Sequence, residues 1–272
     1  MSTVLPETEP DATRAPLPAA AWSKAFLRIG HGGAAAHARA NSLQSLALVL
    51  EMGVDMVEFD VRPCRDGLVL LHDDSLAPFG VAGLAGASTL AELRRLPAVP
   101  DGPVATLGEA LDLLRGRALV NVDLKAAGYE QAVVEQVRAA GMAGNVLYSS
   151  LYPASLRHLR EVDPQARTGL SYPEDWANAS GKPYLQPVVT AALAGMRFAL
   201  PYRIRRMMAG ARSNAVMLYY GVVSAAVVRT VHQAGGRVFV WTVDTLERLR
   251  RIQALGVNGI ASNHPELFDR HA

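Results

Sequence analysis

The chain has 272 residues, half of them apolar, with 23 glycines and 16 prolines, so it can bury one large core and has an ordinary length for a single α/β barrel. The single cysteine, Cys64, excludes an internal disulfide and a cysteine-based zinc site, and no apolar run reaches the ~18 residues a membrane span needs. The net charge of +2 is unevenly spread: residues 176–243 hold Lys182, Arg197, Arg203, Arg205, Arg206, Arg212, Arg229 and Arg237 but no Asp or Glu. That asymmetry points to an anionic small molecule or an anionic lipid surface, with no nucleic-acid partner expected. No secretion signal is visible, so a cytoplasmic location is expected, with any membrane contact peripheral.

Residues 1–22 read as a mobile N-terminal tail, carrying acids and prolines and no apolar core. A strand over 27–30 then runs into His31 in the stretch IGHGG, and a helix over 42–52 stops at Gly53. Residues 56–61 alternate apolar and polar, which places Glu58 and Asp60 on one face of a strand and Val57, Phe59 and Val61 on the other. An Asp-Gly turn follows, then an apolar run over 68–71 that ends at His72 and Asp73. Thr106 and Glu109 form a capping box for a helix over 106–114. A hydrophobic strand over 119–124 delivers Asp123 and, two residues later, Lys125. Helices over 129–140 and 153–162 alternate with strands over 146–149 and 168–171. Residues 184–211 differ: an apolar stripe, then Pro201, then an Arg/Met segment predict two short helices, an excursion occupying about 176–213. A strand over 215–218, a helix opened by Ser224, a strand over 238–242 containing Trp241, a helix over 245–255 and a strand over 259–261 close the chain.

Repeated strand–helix alternation with apolar strands defines an α/β protein with a parallel sheet under helices. At this length a TIM (β/α)8 barrel in one domain, residues 23–272, leads over a doubly wound open sheet. Barrel sites lie at the C-terminal ends of the strands, where His31, Glu58, Asp60 and Asp123 all fall. Two carboxylates on one strand face repel each other unless a cation sits between them, and oxygen ligands suit Mg²⁺ or Ca²⁺. Asp123 can complete such a site, and Lys125 can meet a phosphate oxygen as a point charge. Two histidines at the ends of predicted barrel strands, His31 and His72, read as a general acid–base pair, with Asp73 orienting His72. Trp241 reads either as a wall of the substrate pocket or as a filler of the core.

The order His31-Gly-Gly, Glu58-x-Asp60-Val61, Asp66-Gly67, His72-Asp73, Asp123-x-Lys125, Trp241-Thr242 and the closing GVNGIASNHPELF resembles the glycerophosphodiester phosphodiesterase family over about residues 27–268. The resemblance implies a TIM-type barrel that binds one divalent cation and cleaves a phosphodiester to an alcohol and a phosphomonoester. It implies that Glu58, Asp60 and Asp123 are the metal ligands, His31 and His72 the acid–base pair and Lys125 a phosphate contact. The nucleophile is then either water or the substrate's own neighbouring hydroxyl, the second giving a cyclic phosphate. Substrates are expected among glycerophosphodiesters and lysophospholipids. The chain also departs from the family pattern. Gly32 occupies the Arg position of His-Arg-Gly, Arg39-Ala40-Asn41-Ser42 replaces Pro-Glu-Asn-Thr, and Asp123 stands where Glu is common. The sphingomyelinase D group shares these features, so the chain reads as a divergent member. Arg39 or an arginine of the acid-free stretch is the candidate replacement for the missing phosphate contact. The alternative reading is a catalytically weakened barrel that holds a phosphorylated headgroup.

Overall fold

The computed structural model describes residues 15–97, 101–174 and 186–269. Eight parallel strands close into a ring: β1 (Leu27–His31), β2 (Met56–Cys64), β4 (Leu119–Leu124), β5 (Val146–Ser150), β6 (Arg167–Tyr172), β7 (Ala215–Tyr219), β8 (Arg237–Trp241) and β9 (Gly259–Ser262). Closure comes from β1 pairing with both β2 and β9. Helices α1 (Leu43–Glu51), α3 (Leu107–Leu114), α4 (Glu130–Ala139), α5 (Pro153–Val162), α6 (Gln186–Ala211), α7 (Ala225–Gln233) and α8 (Leu246–Gln253) cover the outside, and a single-turn helix, α2 (Leu90–Leu93), lies in the connection between β3 (Gly67–Leu70) and α3. The expected (β/α)8 barrel is therefore the fold.

The period-2 pattern of the strands sorts the core into two parts. Leu27, Ile29, Met56, Leu119, Leu147, Met217 and Phe239 fill the barrel interior. Val57, Phe59, Val61, Val120, Val122 and Leu124 point outward and pack with Leu107, Leu111, Val133 and Val137 of the helices. Local signals set the boundaries as expected. Thr106 and Glu109 form a reciprocal capping box, Ser224 accepts from the Val227 amide, and Gly53, Gly141, Gly235 and Gly256 take positive φ just past helix ends.

Three expectations are corrected. The run at 68–71 is β3 (Gly67–Leu70), which pairs antiparallel with β2 and stands outside the ring. Cys64 pairs with Gly67, leaving a two-residue connection, which is too short for a parallel crossover. His72 thus follows a hairpin strand, not a barrel strand. Pro201 does not divide the 184–211 segment: α6 is one 26-residue helix that runs through it. Proline removes its amide donor and crowds the carbonyl one turn back, and the packing of Leu200, Ile204, Met208 and Ala211 against the rest of the protein holds the helix together across that break. The half before Leu200 carries mostly exposed side chains and touches the rest of the protein through Leu193 and Met196; residues 175–185 of the expected excursion lie outside the described residues. Finally, the N-terminal segment is not free up to residue 22. Residues Ala19–Ser23 form a short 3₁₀ turn beneath the barrel, where Trp22 Nε1 donates to the Gly144 carbonyl (2.8 Å) and Arg167 lies over the Trp22 ring. The first 14 residues lie outside the described residues.

Candidate active site

The inward faces of β1, β2 and β4 change character at their C-terminal ends, from apolar to charged. Register aligns the change across strands: His31 sits beside Glu58, Asp60 beside Asp123, and Asp123 beside Ser149. Glu58, Asp60 and Asp123 are each more than 90% buried, and one oxygen from each lies within 4.8 Å of the others. Lys125, just past β4, lays its Nζ 2.9 Å from Asp60 Oδ1 and 2.7 Å from Asp123 Oδ2.

The supporting polar groups come mainly from loops. Asn41 holds Asp60 twice: its Nδ2 donates to Oδ2 (2.8 Å), and its Oδ1 accepts from the Asp60 amide (2.9 Å). The Gly32 amide donates to Glu58 Oε2 (2.9 Å), and Ser149 donates to Asp123. Gly33 must be glycine, since φ is +83° and a Cβ there would lie 2.6 Å from the Ser45 backbone. Asn263 fixes the tautomer of His31. Its Nδ2 donates to Asp244 Oδ2 (2.8 Å) and its backbone amide to Oδ1 (2.9 Å), so its Oδ1 must be the atom that faces His31 Nδ1 at 2.9 Å. An amide oxygen only accepts, so Nδ1 carries the proton and Nε2 is left 3.9 Å from Glu58 Oε2.

The electrostatics follow from this placement. Burial opposes ionisation of Asp60, but the Lys125 ammonium and the two imidazoles hold its carboxyl far below the usual range. Burial would also lower Lys125, yet Asp123, Asp60 and Glu58 keep its ammonium well above its ordinary value. For His31, burial is outweighed by Glu58 and Asp60, and its pKa rises. Glu58 has the least compensation: burial and the Asp60 charge push it up to about 7. Three carboxylates with one ammonium leave surplus negative charge in a buried space, and Asn121 Oδ1, on the inward face of β4 below Asp123, is buried without a hydrogen-bond partner. A hard divalent cation fits both the charge and the all-oxygen donor set.

Of the sequence-predicted residues, His31, Glu58, Asp60, Asp123 and Lys125 form one connected set. His72 stands on the rim with its side chain 64% exposed; its Nδ1 lies 2.8 Å from Asp73 Oδ1, and its charge is felt at Asp60. Trp241, at the end of β8, lies edge-on to Tyr219 with ring centroids 5.7 Å apart. Arg39 is engaged elsewhere: its Nη2 donates to the carbonyls of Gly102 (2.9 Å) and Pro103 (3.3 Å), and its guanidinium lies over Phe79. The two departures at 32 and 40 are neighbours, since a Cβ on Gly32 would meet Ala40 Cβ at 2.9 Å. Sequence reasoning missed Asn41, Asn263, Asp244, Ser149 and Arg62. Arg62 continues the Glu58–Asp60 alternation by one step and donates through Nε to the His72 carbonyl (2.8 Å).

A (β/α)8 barrel whose C-terminal rim gathers a buried carboxylate trio, an ammonium and imidazoles has the build of a phosphoric diester hydrolase. The model of the glycerophosphoryl diester phosphodiesterase family matches residues 31–267, and the chain belongs to that family. A glycerophosphodiester phosphodiesterase of Caldanaerobacter subterraneus is 25% identical over 261 residues, spanning 88% of this chain and 95% of that protein. An Oleispira antarctica phosphodiesterase, solved in complex with the product sn-glycerol-3-phosphate, shares the fold with a TM-score of 0.72 and 21% identity, over 89% of this chain and 94% of that one. A glycerophosphodiester phosphodiesterase from Agrobacterium tumefaciens superposes with a TM-score of 0.69 and 23% identity, over 90% and 99% of the two chains. The chain is thus a glycerophosphodiester phosphodiesterase-type enzyme.

Proposed function

We propose that the enzyme is metal-dependent, with Mg²⁺ or Ca²⁺ held by Glu58, Asp60 and Asp123, and that it favours lysophospholipids among its diester substrates. The observation that carries the metal reading is the surplus charge of the buried carboxylates over Lys125. When bound, the cation neutralises charge that develops on the phosphoryl oxygens. Lys125 has three N–H donors; two are turned to Asp60 and Asp123, and the third is available to a phosphate oxygen. His31, in its neutral form with the proton on Nδ1, takes the proton of the nucleophile at Nε2, be it water or the substrate's neighbouring hydroxyl. His72, on the rim, delivers a proton to the leaving oxygen, with Asp73 holding its Nδ1 at 2.8 Å. Arg62 serves as the phosphate-side guanidinium in place of the arginine lost at position 32. The product complex of the Oleispira relative supports a glycerophosphate moiety as the part of the substrate held here.

The lysophospholipid preference rests on α6. Val188, Phe198 and Tyr202 are 65%, 77% and 81% exposed on a helix that carries five arginines counting Arg212 at its end and no acid. Aromatic and cationic side chains together suit an anionic lipid interface. A cavity of about 480 Å³ between β6, α5 and α6 is lined by Leu170, Tyr172, Met196 and Met207 with Arg157 and Arg206, and it borders Ser171, whose hydroxyl lies 3.4 Å from Asp123 Oδ1. Such a cavity suits an acyl chain beside a phosphate.

The deciding experiment measures headgroup release from glycerophosphocholine with Mg²⁺, Ca²⁺ or EDTA, in the parent chain and in His31→Ala and His72→Ala. Activity should require a cation, and each variant should lose about 10²–10⁴ in kcat and one limb of the pH–rate profile. Full turnover in EDTA would overturn the metal assignment, and a variant with parent turnover would return that histidine to a structural part.

A further inference from the structure

We propose that His37, His264 and Glu266 form a second cation site, separate from the carboxylate trio, that takes a transition ion of the Zn²⁺ type. His37 lies in the loop between β1 and α1, and His264 and Glu266 lie at the turn that follows β9. The Ala36 amide donates to the Asn263 carbonyl (3.0 Å) and so pins the two loops side by side. Glu266 faces both rings: its Oε2 lies 2.9 Å from His37 Nε2, and its Oε1 lies 3.0 Å from His264 Nδ1. The rings stand edge to face with centroids 6.0 Å apart, and one ligand atom from each of the three residues lies within 4.8 Å of the others.

The donors favour a metal, and the spacing is close to the one it needs. A tetrahedral cation at roughly 2.1 Å from its ligands places neighbouring ligand atoms about 3.4 Å apart. The Glu266 contacts, at 2.9 and 3.0 Å, are hydrogen-bond distances that side-chain movement of a few tenths of an ångström opens to that separation. Two imidazole nitrogens and one carboxylate oxygen suit Zn²⁺, Co²⁺ or Ni²⁺, whereas Mg²⁺ and Ca²⁺ seek oxygen. The side chains of His37, His264 and Glu266 are 36%, 42% and 35% exposed, so the cation can enter from solvent and water can complete its coordination. The two sites therefore differ in chemistry: an all-oxygen set inside the barrel and a nitrogen-rich set on its shoulder.

The test uses the full chain carrying Asp60→Asn, which weakens the carboxylate site and leaves the histidines intact. Zn²⁺ alone is titrated by calorimetry, and Co²⁺ by its visible absorption. The expected result is one equivalent bound in the presence of excess Mg²⁺, with a Co²⁺ spectrum showing nitrogen ligation. Adding His37→Ala or Glu266→Gln should weaken binding by at least the order of 10-fold, as loss of a ligand must cost no less than loss of an outer partner. His37 sits on an exposed loop, so its variant keeps the fold, checked by an unchanged melting temperature in EDTA. Zn²⁺ affinity unaffected by both substitutions, or no stoichiometric uptake by the Asp60→Asn chain, overturns the proposal.

Discussion

Single side chains at the rim divide into those that carry charge and those that aim it. Asn41 belongs to the second kind. It adopts φ of 64°, a left-handed conformation that asparagine tolerates, and from there it both donates to and accepts from Asp60. Asn41→Ala should lower kcat/KM by about 10–100-fold and raise the cation concentration needed for half activity, as outer partners of ligating carboxylates do. Asn41→Gly relieves the backbone but also lacks the amide, so it should be as impaired as Asn41→Ala. Recovery of activity in the glycine variant would show that strain, not the amide, was at stake. The contrast with Asp60 explains what was legible. Glu58 and Asp60 are visible because two acids at i and i+2 on an otherwise apolar strand are costly without a cation. Asn41 and Asn263 carry no charge, and their partners lie 19 and 232 residues away in sequence. Only the fold brings them together, although GVNGIASNHPELF already stood out as a matched segment and Arg39–Ser42 as a departure from the family pattern.

Among elements, α6 has two halves with different surroundings. From Leu200 onward it packs on the barrel through Ile204 and Met208, while Phe198 and Tyr202, one turn apart with ring centroids 6.3 Å apart, face solvent. The acid-free charge pattern was legible in sequence, and so was the apolar stripe. The continuity of the helix was not, because Pro201 is a strong local breaker and only tertiary packing overrides it. Replacing Phe198 and Tyr202 with Ser removes about 300–400 Å² of apolar contact area if both rings enter an interface. The double variant should bind anionic vesicles at least ~10-fold more weakly and lose its advantage on lysophosphatidylcholine over glycerophosphocholine, while turnover on the soluble diester stays near parent. Binding of the parent should also weaken as salt rises, because the arginine contribution is screened. Equal vesicle binding by parent and variant would reduce α6 to a packed barrel helix. Among the described residues no helix is long and apolar enough to cross a membrane.

At the scale of the whole barrel, the two ends do different work. The C-terminal end collects like charges, which oppose folding, while the opposite end is built from groups that close the ring. Asp55, just before β2, joins three strands there. It accepts from the Arg28 amide (2.9 Å) and Arg28 Nε (3.2 Å), pairs with Lys24, and its own carbonyl accepts from the Leu119 amide (3.0 Å). Closure of the barrel was readable from length and strand–helix alternation, but this seam was not, since Lys24, Arg28 and Asp55 have no spacing that marks them. Burial would raise the Asp55 pKa, yet the bonds from Lys24 and Arg28 leave it below the usual carboxylate value. A depressed folded-state pKa means that ionised Asp55 favours the folded chain. Its contribution is complete above the unfolded pKa of about 4 and is lost as pH falls through the lower folded value. Asp55→Asn should therefore cost about 1–2 kcal/mol at pH 7, a figure kept low because Lys24 is more than half exposed. That corresponds to a melting temperature lower by roughly 2–8 °C for a chain of this size. Thermal melts at pH 7 and at pH 3 decide the matter: the gap between parent and variant should narrow in acid. A gap that is the same at both pH values would mean that Asp55 holds the seam by shape and hydrogen bonding alone, with no contribution from its charge.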